Sequence, residues 1–291
     1  WRLPKIISNN RTVLIYSFSR CSHPTTSINI HIAVISQVKS KRRKMVCVRH
    51  CVLLKLKQNT GRDEINLIIE GIKKLQETVP DILSLRCGKQ VESVDDGRNA
   101  TVAAVVDFKS EEAYKVYAKH PSHISVIKDV ILPHLEPSGR SAIQFPISEA
   151  DIPGASDANQ LTHIVLLKLK NDTKQSSVDE MVTSLQTLGL KATPLVKRMA
   201  CGAQITSVDD GRNATVGAVV TFDSNEDFTK YWEHPKHQKV IRDFIKPHLE
   251  RRTGIQFRSD SGQGGSGGGW DYPKAFATFV ILPLIGSIIR R

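Results

Sequence analysis

The sequence predicts an α+β chain of two like modules whose sheets pack against each other as an intramolecular pseudo-dimeric barrel. Two observations predict it: a long segment that recurs 112 to 114 residues further on, and a fixed switch of hydrophobic period inside each copy. HCVLLKLK at 50–57 matches HIVLLKLK at 163–170 in all but one position, and SVDDGRNATV at 93–102 recurs unchanged at 207–216. HPSH at 120–123 answers HPKH at 234–237, and Ile143-Gln144-Phe145 answers Ile255-Gln256-Phe257. Two copies this long mark a duplicated domain; a solenoid needs three or more short units.

Each element of the module follows from its period. His50, Val52, Leu54 and Leu56 alternate with Lys55 and Lys57, the pattern of a strand with one apolar face. Ile65, Ile68, Ile69, Ile72 and Leu75 then fall at helical spacing, and Val178, Met181, Val182, Leu185 and Leu188 repeat it behind a Ser177/Glu180 capping box. A strand at 82–91, a hairpin on Asp95-Asp96-Gly97 and a Val/Ala-rich strand at 100–108 come next. Ser110 and Ser224 cap second helices, over 111–119 and 225–233. An amphipathic stretch at 124–135 leads to a short last strand near 142–147. The order β-α-β-β-α-β is that of a ferredoxin-like module, whose helices cover one sheet face and leave the other for a partner. Duplication supplies that partner in cis, so the fold class is two tandem ferredoxin-like modules forming an intramolecular pseudo-dimeric α+β barrel, with higher oligomers left open.

The expected domains are a basic extension (1–44), module 1 (45–148), a Pro/Gly/Ser/Asp linker (149–159) that lets the second copy swing round, module 2 (160–259), and a Gly-rich linker with an apolar tail (260–291). Residues 1–44 hold nine Lys/Arg and no Asp/Glu, and 261–291 a net +2, which leaves +1 for 45–260. A balanced surface there argues against nucleic-acid binding, which needs clustered Lys/Arg. The stretch before Met45 reads either as translated upstream sequence or as an organelle transit segment, so the expected compartment is cytoplasmic, with a plastid or other organelle as the alternative. Residues 275–289 are apolar but short of the ~20 that span a bilayer, so membrane contact is expected only if that tail is an anchor. Five cysteines without a C-x-x-C pair fit a reducing compartment, and Cys87 and Cys201, at matching positions, read as inert buried thiols.

With His-x-Val-Leu-Leu-Lys opening each copy, the VDDGRNAT segment, and Tyr-x-x-His-Pro-x-His after the second helix, each half resembles the plant stress-responsive dimeric α+β barrel family over 45–148 and 160–259. Most members of that family are homodimers of single modules. One catalytic relative is olivetolic acid cyclase, which closes a linear polyketide by aldol condensation. Resemblance to it places a catalytic pair on Tyr117 and His123, repeated at Tyr231 and His237, and a pocket histidine on His50 and His163. This sequence departs from the cyclase in having Val102 and Val216 for a strand histidine, Ile72 for a helix tyrosine, and Ile68 and Ile69 for aromatic residues.

A neutral imidazole can take a proton, and a phenol can hold a developing oxyanion. Against that chemistry stands a structural reading: Pro121 and Pro235 end helices after His120 and His234, and the histidines then satisfy local backbone. His50, His120 and His123 have no carboxylate at ligand spacing, so no metal is expected, and no cofactor. Asn-Ala-Thr at 99–101 and 213–215 reads as a hairpin entering a strand rather than as a glycosylation site. The functional expectation is a stress-response barrel, non-catalytic or binding a small apolar ligand in a helix–sheet pocket lined by His50, His120, His163 and His234. The alternative is a cofactor-independent, polyketide-cyclase-like lyase that uses the Tyr/His pairs. A monooxygenase rests on fold analogy alone.

Overall fold

The structure, a computed structural model, describes residues 46–259 except 155, 156, 158, 192 and 193, together with the backbone of 6–9, 12–17 and 31–33. The chain divides into two compact units, 1–44 and 45–291. In the first, β1 (Ile6–Asn9), β2 (Thr12–Ser17) and β3 (His31–Ala33) form a small antiparallel sheet. No repeat or periodicity in the sequence had pointed to it. The apolar tail 275–289 lies outside the described residues, and among the described residues no helix is long and apolar enough to cross a membrane.

The second unit carries both modules. Module 1 runs β4 (Val46–Leu56), α1 (Arg62–Lys73), α2 (Leu75–Thr78), β5 (Ile82–Lys89), β6 (Val102–Phe108), α3 (Glu111–Lys119), α4 (Pro121–Ser125) and β7 (Leu135–Ser148). Module 2 repeats it as β8 (Leu161–Leu169), α5 (Gln175–Lys191), β9 (Arg198–Ala203), β10 (Val216–Phe222), α6 (Asn225–Glu233), α7 (Pro235–Val240) and β11 (Leu249–Arg258). The sheets are antiparallel, in the orders β5-β6-β4-β7 and β11-β8-β10-β9, so each module is ferredoxin-like as expected.

Strand alternation divides the apolar residues between two layers. Cys47, Cys51 and Leu53 of β4, with Val105, Ile143 and Phe145, meet Ile164, Leu166, Val219, Ile255 and Phe257 of the other module in one inter-sheet core. Leu54, Leu56, Val102 and Ala104 face the other way, onto Ile68, Ile69 and Ile72 of α1. Each wholly buried Ile, Leu or Phe at the inter-sheet seam contributes about 1.5–3 kcal/mol of hydrophobic stabilisation. Close approach there requires glycine. A Cβ on Gly88 would stand 2.5 Å from the Arg258 carbonyl oxygen and 2.8 Å from the Phe257 ring, and one on the equivalent Gly202 would stand 2.9 Å from Phe145 Cβ.

Backbone hydrogen bonds then close the barrel. Val91 and Ala100 N–H donate to the carbonyls of Gln256 and Gly254 in β11, while Ile205 and Ala214 N–H donate to those of Gln144 and Ala142 in β7. One edge strand of each sheet, β7 or β11, is thereby covered by the other module, which removes an aggregation-prone edge.

Several elements differ from expectation. The connection carrying Asp95-Asp96-Gly97 spans residues 90–101 rather than a tight hairpin, with a 3-10 turn at Glu92–Val94; the Asp95 and Asp96 carboxylates accept from Gly97 and Arg98 N–H, and Gly97 takes φ +75°. Helix α5 starts at Gln175, and the Lys174 carbonyl accepts its first helical bonds, so Ser177 lies inside the helix and does not cap it. The stretch at 124–135 is a π-helical turn, Val126–Ile131, followed by a 3-10 turn, and β7 begins seven residues before 142, at Leu135. Contacts hold the described part of the linker against both modules. Ser148 and Asp151 form a capping box, Ile152 packs on the inter-sheet core, and Arg198 donates to the Ala150 carbonyl and the Asp157 carboxylate. Arg49, paired in bidentate fashion with Asp107 at 2.7 and 2.9 Å, also donates to the Asp151 carbonyl; module 2 has Thr162 and Thr221 at the two matching positions.

Candidate functional site

His50 lies on the helix-facing side of β4 and His123 one turn into α4, and the local sequence fixes both. Pro121 holds His120 in extended backbone (φ −65°, ψ 134°) and occupies the first turn of α4, where a missing N–H costs nothing. His120 Nδ1 accepts from Ser122 N–H as the N-cap, and His234 Nδ1 accepts from Lys236 N–H in the same way. These two histidines are spent on helix starts. The chain then turns so that His123 Nδ1 donates to the Ala118 carbonyl at 3.3 Å, and its ring packs on Tyr117 with centroids 4.1 Å apart. His50 completes the cluster, 5.3 Å from the Tyr114 ring and 6.2 Å from Tyr117. In module 2, His237 donates to the Trp232 carbonyl at 3.1 Å and packs on Tyr231 at 4.4 Å.

Which ring nitrogen carries the proton follows from hydrogen-bond inventory. His50 Nδ1 lies 2.8 Å from Gln144 Nε2 and 3.3 Å from the Ile143 carbonyl. Gln144 Oε1 is committed to accepting from Gln204 Nε2 and Asn213 Nδ2, each at 3.0 Å, so its amide nitrogen faces the imidazole and donates. His50 Nδ1 therefore accepts, and its Nε2 is a donor. In His123 the order is reversed: Nδ1–H is engaged and the Nε2 lone pair remains available. Burial, then the Arg140 charge and His123, push the His50 pKa down to about 3. Burial also lowers His123, and it takes His163 to about 3 and His237 to about 4. All four rings are neutral at pH 7. Burial pushes Tyr114 up to about 12, and Tyr117 and Tyr231 higher still. Each site thus offers neutral donors and acceptors on an apolar wall.

The glutamines carry each site across the module boundary. Gln144, on β7, joins His50 of module 1 to Gln204 and Asn213 of module 2; Gln256, on β11, joins His163 of module 2 to Gln90 and Asn99 of module 1. Arg140 pairs with Asp210 at 3.1 Å and Arg252 with Asp96 at 3.3 Å, again across the boundary. The identical SVDDGRNATV segments are therefore clasps, each holding the other module's glutamine and arginine. A cavity of about 240 Å3 lies beside them, lined by Lys55, Arg98, Arg140, Arg251 and Arg252 with Glu136 among others. None of the sequence-predicted site residues lines it. Arg140 connects the two places, since its charge also acts on His50, Tyr114 and His123.

Comparison with known proteins bears on this arrangement directly. The stress responsive A/B barrel domain matches residues 48–145 and again 161–259. The chain belongs to that family. It is a tandem A/B barrel, with two family modules in one polypeptide. No curated protein matches it. Among solved structures, a dimeric ferredoxin-like protein of unknown function from Thermobifida fusca is 28% identical over 35% of this chain and 92% of its own, with TM-score 0.32. Hydroxynitrile lyase from Passiflora edulis is 22% identical over 38% and 99%, with TM-score 0.32. An anthrone oxidase-like protein is 12% identical over 75% and 92%, with TM-score 0.54, and shares the fold across both modules of this A/B barrel.

Of the residues expected at the site, the structure brings Tyr117, His123 and His50 together in module 1, and Tyr231, His237 and His163 in module 2. Ile68, Ile69, Ile72 and Val102 pack in the dry core between α1 and the sheet, as Val216 does in its module. Cys87 and Cys201 are buried, their thiols facing the carbonyls of Ile69 and Val182, and burial lifts Cys201 to about 12. Sequence reasoning missed Gln144, Gln256, Asn99, Asn213, Arg140 and Tyr114. The signal was there for the first four: buried-type strands interrupted by the same glutamine, and an unchanged ten-residue segment longer than any turn requires.

Proposed function

We propose that this A/B barrel binds a small, mostly apolar molecule bearing a carbonyl or hydroxyl oxygen at the His50–Tyr114–Tyr117–His123 cluster, and does not turn it over. The observation that carries this reading is the polarity of the cluster. A neutral His50 Nε2–H, a free His123 Nε2 lone pair and the Tyr117 phenol sit against an apolar layer, as in ligand pockets that use few polar groups to orient a greasy molecule. Binding is favoured over catalysis because a general base works best with a pKa near the working pH, and burial lowers that of His123.

The test is a ligand-observed NMR screen of small phenols and aryl ketones against the full chain, with every hit repeated on His123→Ala and Tyr117→Phe. Loss of one hydrogen bond, about 0.5–1.5 kcal/mol, weakens binding up to roughly tenfold. Unchanged affinity for all hits in both variants refutes the assignment. The lyase reading retains one specific support, the imidazole stacked on a phenol, and predicts turnover of a linear polyketide analogue that disappears in His123→Ala.

A further inference from the structure

We propose that the two duplicated sites are not equivalent: Trp232 closes the site of module 2, so that of the pair only the module 1 site admits ligand. This rests on reading the histidine–tyrosine cluster as a ligand site. The two clusters differ at two helix positions. Module 1 has Tyr114 and Ala118 in α3 where module 2 has Phe228 and Trp232 in α6. The Trp232 indole stands 5.4 Å from the His237 ring, 6.5 Å from His163 and 6.2 Å from Phe228, and so packs beside three rings of the second cluster at a position where the first has only the Ala118 methyl. Arg252 lies over its face at 5.5 Å and holds the ring in place by a cation–π contact. Exposure differs at the helix histidine: His237 is buried, at 7% exposure, while His123 is half-buried; the strand histidines His50 and His163 are buried in both modules.

Chemistry separates the sites as well. Tyr114 adds a phenol to the first cluster, and Phe228 removes it from the second, so a hydroxyl-bearing ligand finds an extra partner only in module 1. In module 1 the cation matching Arg252 is Arg140, which has no indole beneath it and is tied to Asp210 and Asn213. Trp232 and Ala118 are thus specificity-determining positions for the pair of sites, and the expected occupancy is one ligand per pair.

The experiment is residue-resolved carbethoxylation of the full chain by diethyl pyrocarbonate at pH 7, read by mass spectrometry. Both histidines are neutral at that pH and both engage Nδ1 with a carbonyl, so the rate reports access to Nε2. His123 is expected to react about tenfold or more faster than His237, because a buried ring reacts only after local opening. Trp232→Ala should raise the His237 rate to near that of His123 and leave His123 unchanged. Equal rates in the unmodified protein, or a folded Trp232→Ala chain with His237 still slow, overturn the proposal. Should Trp232→Ala fail to fold, Ala118→Trp runs the test in reverse: a slowed His123 supports the proposal and an unchanged one overturns it. These rates need no ligand. A screen that finds none removes the binding reading without moving them, and equal rates leave binding intact with two sites.

Discussion

Replacing Gly88 with alanine probes the seam between the modules with a single methyl group. The added Cβ would meet the Arg258 carbonyl oxygen at 2.5 Å and the Phe257 ring at 2.8 Å, both in β11 of the other module. Backbone oxygen cannot rotate away, so the sheets must separate or shear locally, an overpacking cost of about 1–3 kcal/mol. Alanine recovers about 0.5–1 kcal/mol by restricting the unfolded chain, so the net loss ranges up to about 2.5 kcal/mol and centres on about 1 kcal/mol. Gly71→Ala in α1 is the matched contrast: its Cβ would find only Val126 and Val130 methyls at 3.7 Å, ordinary contact, and it gains about 1 kcal/mol of helix propensity. Urea denaturation of both variants should show the midpoint lowered for Gly88→Ala and raised for Gly71→Ala, with unchanged slopes. A Gly88→Ala midpoint at or above that of the unmodified protein would refute the close sheet-to-sheet approach.

Three further predictions follow from buried polar groups. Asp107→Asn strands the Arg49 guanidinium, 1% exposed, without its carboxylate, and should cost about 3–5 kcal/mol in thermal or urea unfolding; a change under about 1 kcal/mol contradicts the pairing. Gln144→Leu leaves Asn213 Nδ2 without its Gln144 acceptor, while Gln204 Nε2 keeps the Ile205 carbonyl and His50 Nδ1 can turn to the Ile143 carbonyl; the loss should be about 1–3 kcal/mol, whereas a neutral effect in the same assay argues against the cross-module network. His50 and His163 have folded pKa values near 3, below the ordinary 6.5, so the unfolded chain binds more protons between those values. Stability is then complete above about pH 6.5 and falls as pH drops through that window, at about 1.4 kcal/mol per pH unit for each histidine. Denaturation midpoints measured from pH 7 to 5 should decline, and less steeply in His163→Gln; a flat profile would mean the rings are solvated.

Much of this fold is legible in one copy of the repeat. Alternation in β4 and the helical stripe at Ile65–Ile72 identify their elements because each pattern reports burial against a neighbour close in sequence. What is illegible depends on the other module. SVDDGRNATV looks like a turn because its glycine and aspartates do make one, yet its Asn and flanking backbone N–H groups exist to hold β7 or β11 of the opposite copy. The first half of β7 escaped notice because Glu136–Arg140 has no apolar alternation; pairing with β4 there bridges a register shift between Leu54 and Leu56. At the site, the Tyr/His spacing was visible, whereas the asymmetry set by Ala118 and Trp232 became meaningful only once both residues were seen beside their histidines.

The two sheets bury their apolar faces against each other within one chain. Sedimentation equilibrium of residues 45–148 and 160–259, produced separately and mixed, checks this burial. The structure predicts a 1:1 complex, with each piece alone either self-associating or failing to fold. Two well-folded monomers that ignore each other would contradict it.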